Sequence, residues 1–125
     1  MKFDGFGLRL LWLSSVSLLP ILLSSQSAQA ACVLIPNPGN NNYTCDSGTG
    51  GPLNDPGGNN LLVLPAGGTG RITGPVVFGP GADTVIIDSG TINGNLDTGA
   101  GNDRVELNDG VVNGTIFQGA VPIFS

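Results

Sequence analysis

A repeat in the second half of the chain constrains the fold more than any other feature. Residues 76–95 read VVFGPGADTVIIDSGTINGN, residues 96–115 read LDTGAGNDRVELNDGVVNGT, and a third copy begins at residue 116, which makes a 20-residue period. A period of this length is typical of solenoids, in which each repeat forms one coil and successive coils stack. Residues 61–125 are therefore predicted to form a stack of similar coils.

Apolar and polar residues alternate within each copy, and this period of two predicts β-strands. In the first copy Val85 and Ile87 would face the interior and Ile86 the exterior. Val105 and Leu107 would be interior in the second copy. No segment has a helical stripe, and so much glycine opposes long helices. We expect an all-β parallel solenoid with two or three short strands per coil, separated by glycine corners.

Stacking of the copies fixes which side chains should meet across coils. Val85 would lie on Val105, and Ile72 on Ile92 on Val112, at a spacing of about 4.8 Å. The apolar segment 61–64 is out of phase with this repeat, which suggests an irregular first coil. We expect about three coils, close to the minimum for a stable stack.

Two other structures fit the same composition. Asn93-Gly94 and Asn113-Gly114 are strong signals for type I′ turns, and hairpins at regular spacing would produce the same period. A chain rich in Gly and Asn can also be disordered. A hairpin turn at Asn93-Gly94 would interrupt the alternating run 92–97 in its middle, which favours the parallel solenoid.

Residues 1–30 have the three zones of a secretory signal peptide. A basic start precedes an apolar run over residues 10–23, and Ala28 and Ala30 form an A-x-A cleavage site that would leave Ala31 as the first mature residue. The run is shorter than the roughly 20 residues of a membrane-spanning helix. We expect export to the periplasm, the cell surface or the medium.

Cys32 and Cys45 follow directly behind the signal. An even number of cysteines in an exported chain favours a disulfide. The segments 33–35 and 43–44 could pair as short strands around the turn-rich sequence between them. A metal site is the less favoured alternative, because two cysteines without histidine supply half of a zinc site. The prediction for residues 31–60 is a disulfide-closed cap.

The charge of the mature chain limits its partners. Residues 31–125 hold two arginines and eight acidic residues, a formal charge of −6, with no Lys or His. Such a surface repels nucleic acid, whose phosphates are bound by Lys and Arg. We expect no nucleic-acid partner, and cations are the plausible small partners.

Composition also opposes catalysis. Ser47 and Ser89 lack any histidine base within the mature chain, so a nucleophilic triad is excluded. Asp83 with Asp103, or Asp88 with Asp109, could be neighbouring carboxylates of the kind that hydrolyse glycosides. Stacked solvated acids are the commoner cause of such pairs. We expect no enzyme, and an extracellular carbohydrate-active enzyme is the weakest alternative.

Residues 79–85 and 99–105 both fit the pattern G-x-G-x-D-x-U, where U is apolar. The pattern resembles the nonapeptide repeat of RTX toxins, which implies calcium held by Asp83 and Asp103. It recurs here only once per copy, a wider spacing than in RTX toxins, and Arg104 adjoins Asp103. Alternatively, both aspartates are corner residues that bond to backbone N–H groups. We expect no cofactor, with a calcium-binding β-roll as the alternative.

Beyond these motifs, the chain resembles a known family over nearly its whole length. The mature start AACVLIPNPGNNNYTCDSGTGG and the segments LPAGGTGRITGPVVFGPGADTV and INGNLDTGAGNDRVEL are similar to the amino-terminal passenger region of Gram-negative autotransporters. The resemblance implies a right-handed parallel β-helix, displayed at the cell surface and commonly adhesive. It also implies a carboxy-terminal β-barrel, which this sequence does not contain.

The expected function is that of an exported structural or adhesive module, the N-terminal fragment of an autotransporter passenger. Its expected partners are the export machinery, through the signal peptide, and ligands on host or other cell surfaces. An outer-membrane barrel would be a partner only if a longer parent chain exists.

Overall fold

A computed structural model describes residues 31–119, which form β-strands and turns without a helix. The predicted signal peptide, with Ala28 and Ala30, lies outside the described residues, as do residues 120–125. Residues 31–119 contain no helix that is long and apolar enough to cross a membrane.

Within the described residues, twelve of the thirteen strands build a parallel β-solenoid of roughly four coils, as the repeat predicts. β1 (Cys32–Val33) precedes the first coil. Coils 1 and 2 consist of β2 (Asn42–Cys45), β3 (Thr49–Gly50), β4 (Leu53–Asp55), β5 (Leu61–Leu64), β6 (Arg71–Thr73) and β7 (Val76–Phe78). Coils 3 and 4 consist of β8 (Thr84–Ile87), β9 (Thr91–Asn93), β10 (Leu96–Asp97), β11 (Arg104–Leu107), β12 (Val111–Val112) and β13 (Ile116–Phe117).

Each coil contributes one strand to each of three sheets. Sheet 1 has the order β1-β2-β5-β8-β11, sheet 2 the order β3-β6-β9-β12, and sheet 3 the order β4-β7-β10-β13. Every pairing between coils is parallel, which excludes the hairpin meander and the disordered chain.

The core lies between the three sheets and follows the period of two in the sequence. Val85 pairs with Val105, and Ile72 pairs with Ile92, which pairs in turn with Val112, all as expected. One coil alone could not bury these side chains, so the neighbouring coils supply the contacts. The fully buried aliphatic side chains are Leu53, Leu62, Leu64, Ile72, Val76, Val85, Ile87, Ile92 and Leu96.

The alternating run 92–97 is divided between two sheets. β9 ends at Asn93 in sheet 2, and β10 begins at Leu96 in sheet 3. Asn93-Gly94 therefore does turn the chain, but as a corner between strands of two sheets. The alternation survives across it, since Ile92 and Leu96 are both buried.

Residues 42–60 form a complete coil, although the sequence pattern assigned them to the cap. The sequence separation between paired residues is irregular in the first two steps. Neither the separation of Asn42 from Leu61 nor that of Leu61 from Thr84 equals the regular separation of Thr84 from Arg104. The wider spacing arises at the corner 65–70, which is longer than the corresponding corner 88–90 of coil 3. This corner explains why segment 61–64 is out of phase with the repeat. The coil beyond the three expected is the one formed by residues 42–60.

A glycine corner shows how closely the coils approach each other. Gly101 has φ +143°, and a Cβ atom there would collide with the backbone oxygen of Gly81 in the coil below. Both the conformation and the contact require the absence of a side chain. The recurring glycines of the sequence thus mark points where backbone stacks on backbone.

The predicted disulfide of the cap is confirmed. β1 pairs antiparallel with β2, with Cys32 opposite Cys45 and Val33 opposite Thr44, and the two cysteines are bonded to each other. Leu34 packs against the core. Ala31 forms an isolated parallel bridge with Ser47.

The fourth coil is less buried than the others. Leu107 follows the same column as Ile87, yet it is 45% exposed because no described coil covers it. Val111, Ile116 and Phe117 in the same coil are 38–50% exposed.

Candidate functional site

The outer surface of sheet 2 is a polar array, which we call the polar face. Its residues project outward, while the residues between them, such as Ile72 and Ile92, are buried. Its polar residues are aligned in two rows by the strand register, and the exposed Val111 continues the row of Thr91 in the last coil. The polar residues are Thr49, Arg71, Thr73, Thr91, Asn93 and Asn113.

Hydrogen bonds order the polar face across coils. The Asn93 side chain lies between Arg71 and Asn113. With its oxygen toward Asn113 it accepts from Asn113 Nδ2 at 2.8 Å, and with its oxygen toward Arg71 it accepts from Nε and Nη2 at 3.0 Å each. Thr73 Oγ1 donates to the backbone oxygen of Gly50 at 3.0 Å. A guanidinium, amides and hydroxyls are thus held in fixed positions, an arrangement suited to hydrogen bonding with a polar ligand.

The two predicted metal-ligand residues belong to a stack of four residues, here the corner column: Asn41, Asn60, Asp83 and Asp103. Each one directly precedes a sheet 1 strand of its coil. In each step a backbone N–H donates to Oδ1 of the residue in the next coil, at 3.1 Å for Asn41 to Asn60, 2.7 Å for Asn60 to Asp83 and 2.9 Å for Asp83 to Asp103. This is the bonding that the corner-residue interpretation predicts.

Asp83 is completely buried, and its environment opposes its negative charge. Burial raises the pKa of the Asp83 carboxyl, the N–H of Asn60 partly offsets this, and the charge of Asp103 adds to the rise. The Oδ2 atoms of Asp83 and Asp103 and the Oγ1 atom of Thr98 are buried without a hydrogen-bond partner. Within residues 31–119 no group of three or more His, Cys, Asp or Glu could hold a metal ion. Calcium binding stays a prediction.

Coil 1 contains a buried carboxylate that the sequence pattern did not indicate. Asp55 is 3% exposed, and its Oδ2 accepts from Tyr43 Oη at 2.5 Å and from Asn41 Nδ2 at 2.8 Å. Burial raises the pKa of the Tyr43 phenol strongly, and the bond to Asp55 adds to the rise. Gly57 N–H donates to Asp55 Oδ1 at 3.3 Å. The carboxylate is fully engaged within the protein, which indicates a structural role.

The same carboxylate borders a cavity under the cap. This cavity has a volume of about 310 Å³. Its lining residues are Pro36, Asn37, Pro38, Asp55, Pro56 and Gly57. The prolines make the lining mostly apolar, and the Asp55 oxygens that could orient a ligand already accept bonds from the protein.

Asp88 and Asp109, the other carboxylate pair considered for catalysis, do not share a register position, and Ser89 is hydrogen-bonded to the backbone. Asp88 lies beside Asn108, whose Nδ2 donates to Asp88 Oδ1 at 2.6 Å, so Asp109 is one position out of register with it. Ser89 Oγ lies 2.6 Å from the backbone oxygen of Pro65, to which it donates. These contacts stabilise corners of the solenoid.

The remaining charged pair lies on sheet 1. Arg104 forms an ion pair with Glu106 on the exposed side of β11. Arg71 on the polar face is engaged by an amide instead of a carboxylate, so its charge is less compensated locally.

Comparison with known proteins finds no matching family model, no matching curated protein and no matching solved structure.

Proposed function

We propose that this protein is an exported structural and adhesive module, the N-terminal part of an autotransporter-type passenger. The observation that carries the proposal is a parallel solenoid closed at its N-terminal end by a disulfide. Disulfides persist in oxidising compartments, and the predicted signal peptide would bring the chain to one. Solenoids provide extended, rigid binding surfaces, which suits an adhesive role.

The polar face is the contact surface of this proposal. Its side chains are held by bonds between coils, so little side-chain entropy would be lost on binding. Arg71 gives this face a cation on a chain that is otherwise acidic. We propose that the face binds polar, uncharged ligands on another cell surface, such as neutral polysaccharide, because a chain with a net negative charge would repel a polyanion.

The adhesion test measures binding of the labelled chain to cultured epithelial cells and to immobilised neutral polysaccharide. Arg71→Ala should reduce binding by about tenfold, because it removes the guanidinium, the side chain with the most hydrogen-bond donors on the polar face. Arg104→Ala is the matched control: it removes the other mature arginine, which lies on sheet 1. Equal binding by both variants and the unaltered chain would remove the polar face from the proposal.

Export is tested separately by recovering the chain from the periplasm and the culture medium of a Gram-negative host. The recovered protein should begin at Ala31, and its two cysteines should be unreactive to thiol reagents until a reductant is added. Retention of residues 1–30 together with cytoplasmic, reduced protein would overturn the export proposal.

A further inference from the structure

The corner column changes its chemistry halfway along the solenoid. Its first two members are asparagines and its last two are aspartates, in the order Asn41, Asn60, Asp83, Asp103. Oδ1 performs the same task in Asn60, Asp83 and Asp103, since it accepts a backbone N–H from the coil before. In these three side chains the second atom of the planar group is therefore at the equivalent position, as nitrogen in Asn60 and as oxygen in Asp83 and Asp103.

In the asparagines that second atom is a donor with a carbonyl partner. Asn60 Nδ2 donates to the backbone oxygen of Gly57 at 3.1 Å. Asn41 Nδ2, in the first member of the column, donates to the backbone oxygens of Asn37 at 2.7 Å and Gly39 at 3.0 Å and also to Asp55 Oδ2 at 2.8 Å. The corner loops thus turn carbonyl oxygens toward this place in the column.

In Asp83 the same place is held by an oxygen without a partner, inside a fully buried residue. An ionised carboxylate there would present an acceptor where the column elsewhere presents a donor. Leaving a buried charged group unsatisfied is strongly unfavourable. A proton on Oδ2 converts the acceptor into a donor and removes the charge.

We propose that Asp83 is a neutral carboxylic acid in the folded protein, with the proton on Oδ2 in the place of the asparagine amide, so that the solenoid is most stable under acidic conditions. Asp83 is thereby a pH-sensitive member of the column. Asn60, at the same place one coil earlier, is its pH-independent counterpart.

The charged groups around Asp83 also favour its neutral form. Asp103 from coil 4 and Asp55 from sheet 3 are the charged groups that act on it, and both carry negative charge. Asn60 is neutral; its backbone N–H donates to Oδ1 of Asp83, and this bond and the Asn60 side chain both lower the pKa of Asp83 without outweighing burial. The two arginines of residues 31–119 do not compensate, because Arg104 pairs with Glu106 and Arg71 lies on the polar face. These surroundings raise the pKa of Asp83, with burial as the largest cause.

The sign of the pH dependence follows from proton binding. A folded state with a raised pKa binds more protons than the unfolded state above the ordinary value of 3.8. Its stability is therefore complete below that value and is lost as the pH rises through the folded pKa. For one proton, the folding equilibrium constant falls up to about tenfold per pH unit within this window.

The test is urea unfolding of the full chain, followed by circular dichroism between pH 4 and pH 8. The unaltered chain should lose stability as the pH rises. Asp83→Asn should flatten this dependence and be the more stable protein at pH 7 to 8. Asn60→Asp should do the reverse, with a steeper loss toward pH 8. Asp109→Asn, an exposed substitution with the same change of charge, should leave the slope unchanged.

Three results would overturn the proposal: an unaltered slope in Asp83→Asn, lower stability of that variant at neutral pH, or stabilisation by millimolar calcium that Asp83→Asn abolishes. The last would show that the oxygens hold a cation instead of a proton. If Asp83→Asn does not fold, infrared spectroscopy of the unaltered chain with ¹³C-labelled aspartate decides. As the pH rises from 4, the carbonyl stretch of one neutral carboxylic acid should persist after those of the exposed aspartates have disappeared, and its disappearance together with theirs would refute the proposal.

Discussion

Tyr43 is the chain's only tyrosine, and its phenol is predicted to remain protonated for as long as coil 1 is folded. The side chain is 2% exposed and donates to Asp55 Oδ2 at 2.5 Å. Substitution Tyr43→Phe removes this bond and leaves Asp55 with Asn41 and Gly57 as donors. Because a hydrogen bond to a charged group contributes about 1.5–3 kcal/mol, we expect a loss of about 2 kcal/mol at pH 7.

At alkaline pH the difference in stability between the unaltered chain and Tyr43→Phe should disappear. The pKa of Tyr43 is raised in the folded state, so stability is complete below the ordinary value of about 10 and is lost as the pH rises beyond it. The loss is about 1.4 kcal/mol per pH unit, and Tyr43→Phe does not share it. The two proteins should therefore become equally stable about 1.5 units above pH 10, where the linkage loss matches the lost bond.

The assay combines urea unfolding from pH 7 to 12 with the ultraviolet absorbance of tyrosinate. The sole tyrosine of the mature chain makes that absorbance specific for Tyr43. In the folded protein it should stay absent near pH 10 and rise only with unfolding. Tyrosinate absorbance at pH 10 in the folded protein, or a stability difference that stays constant above pH 10, would refute the reasoning.

Two further predictions concern the core and the cap. Ile92→Ala should lower the free energy of unfolding by about 2–5 kcal/mol, since Ile92 is fully buried between Ile72 and Val112. Val111→Ala, at an exposed position of the next coil, should be close to neutral in the same chemical denaturation experiment. The disulfide joins cysteines at a sequence separation of 13, and its reduction should cost about 3 kcal/mol. An equal melting temperature with and without reductant would contradict the chain-entropy estimate.

The sequence predicts coils 3 and 4 well because they obey one period. Since equivalent positions are one repeat apart, the strand register follows from alignment of the copies, and Val85 meets Val105 as expected. Apolar alternation then decides which residues face inward. Equivalent positions of these two coils alternate between the interior and the exterior in the same way, so the local pattern of apolar residues is enough to predict their strands.

Coil 1 and its buried pair could not be predicted in this way. The insertion at corner 65–70 shifts the phase, so the correspondence of Tyr43, Leu62 and Val85 is hidden from a search at constant period. The bond between Tyr43 and Asp55 joins two strands of one coil across a corner, which no strand alternation indicates. A search allowing coils of unequal length would have aligned Asn41, Asn60, Asp83 and Asp103.

The antiparallel pairing of β1 with β2 gives the solenoid a direction of growth. The outer edge of β2 is occupied, so a parallel strand cannot add to sheet 1 at that end. Each later coil pairs its strands with those of the coil that precedes it in the sequence. Contacts of such short sequence separation form with little loss of loop entropy. A chain delivered amino terminus first could therefore fold coil by coil from its capped end, without waiting for its last residue.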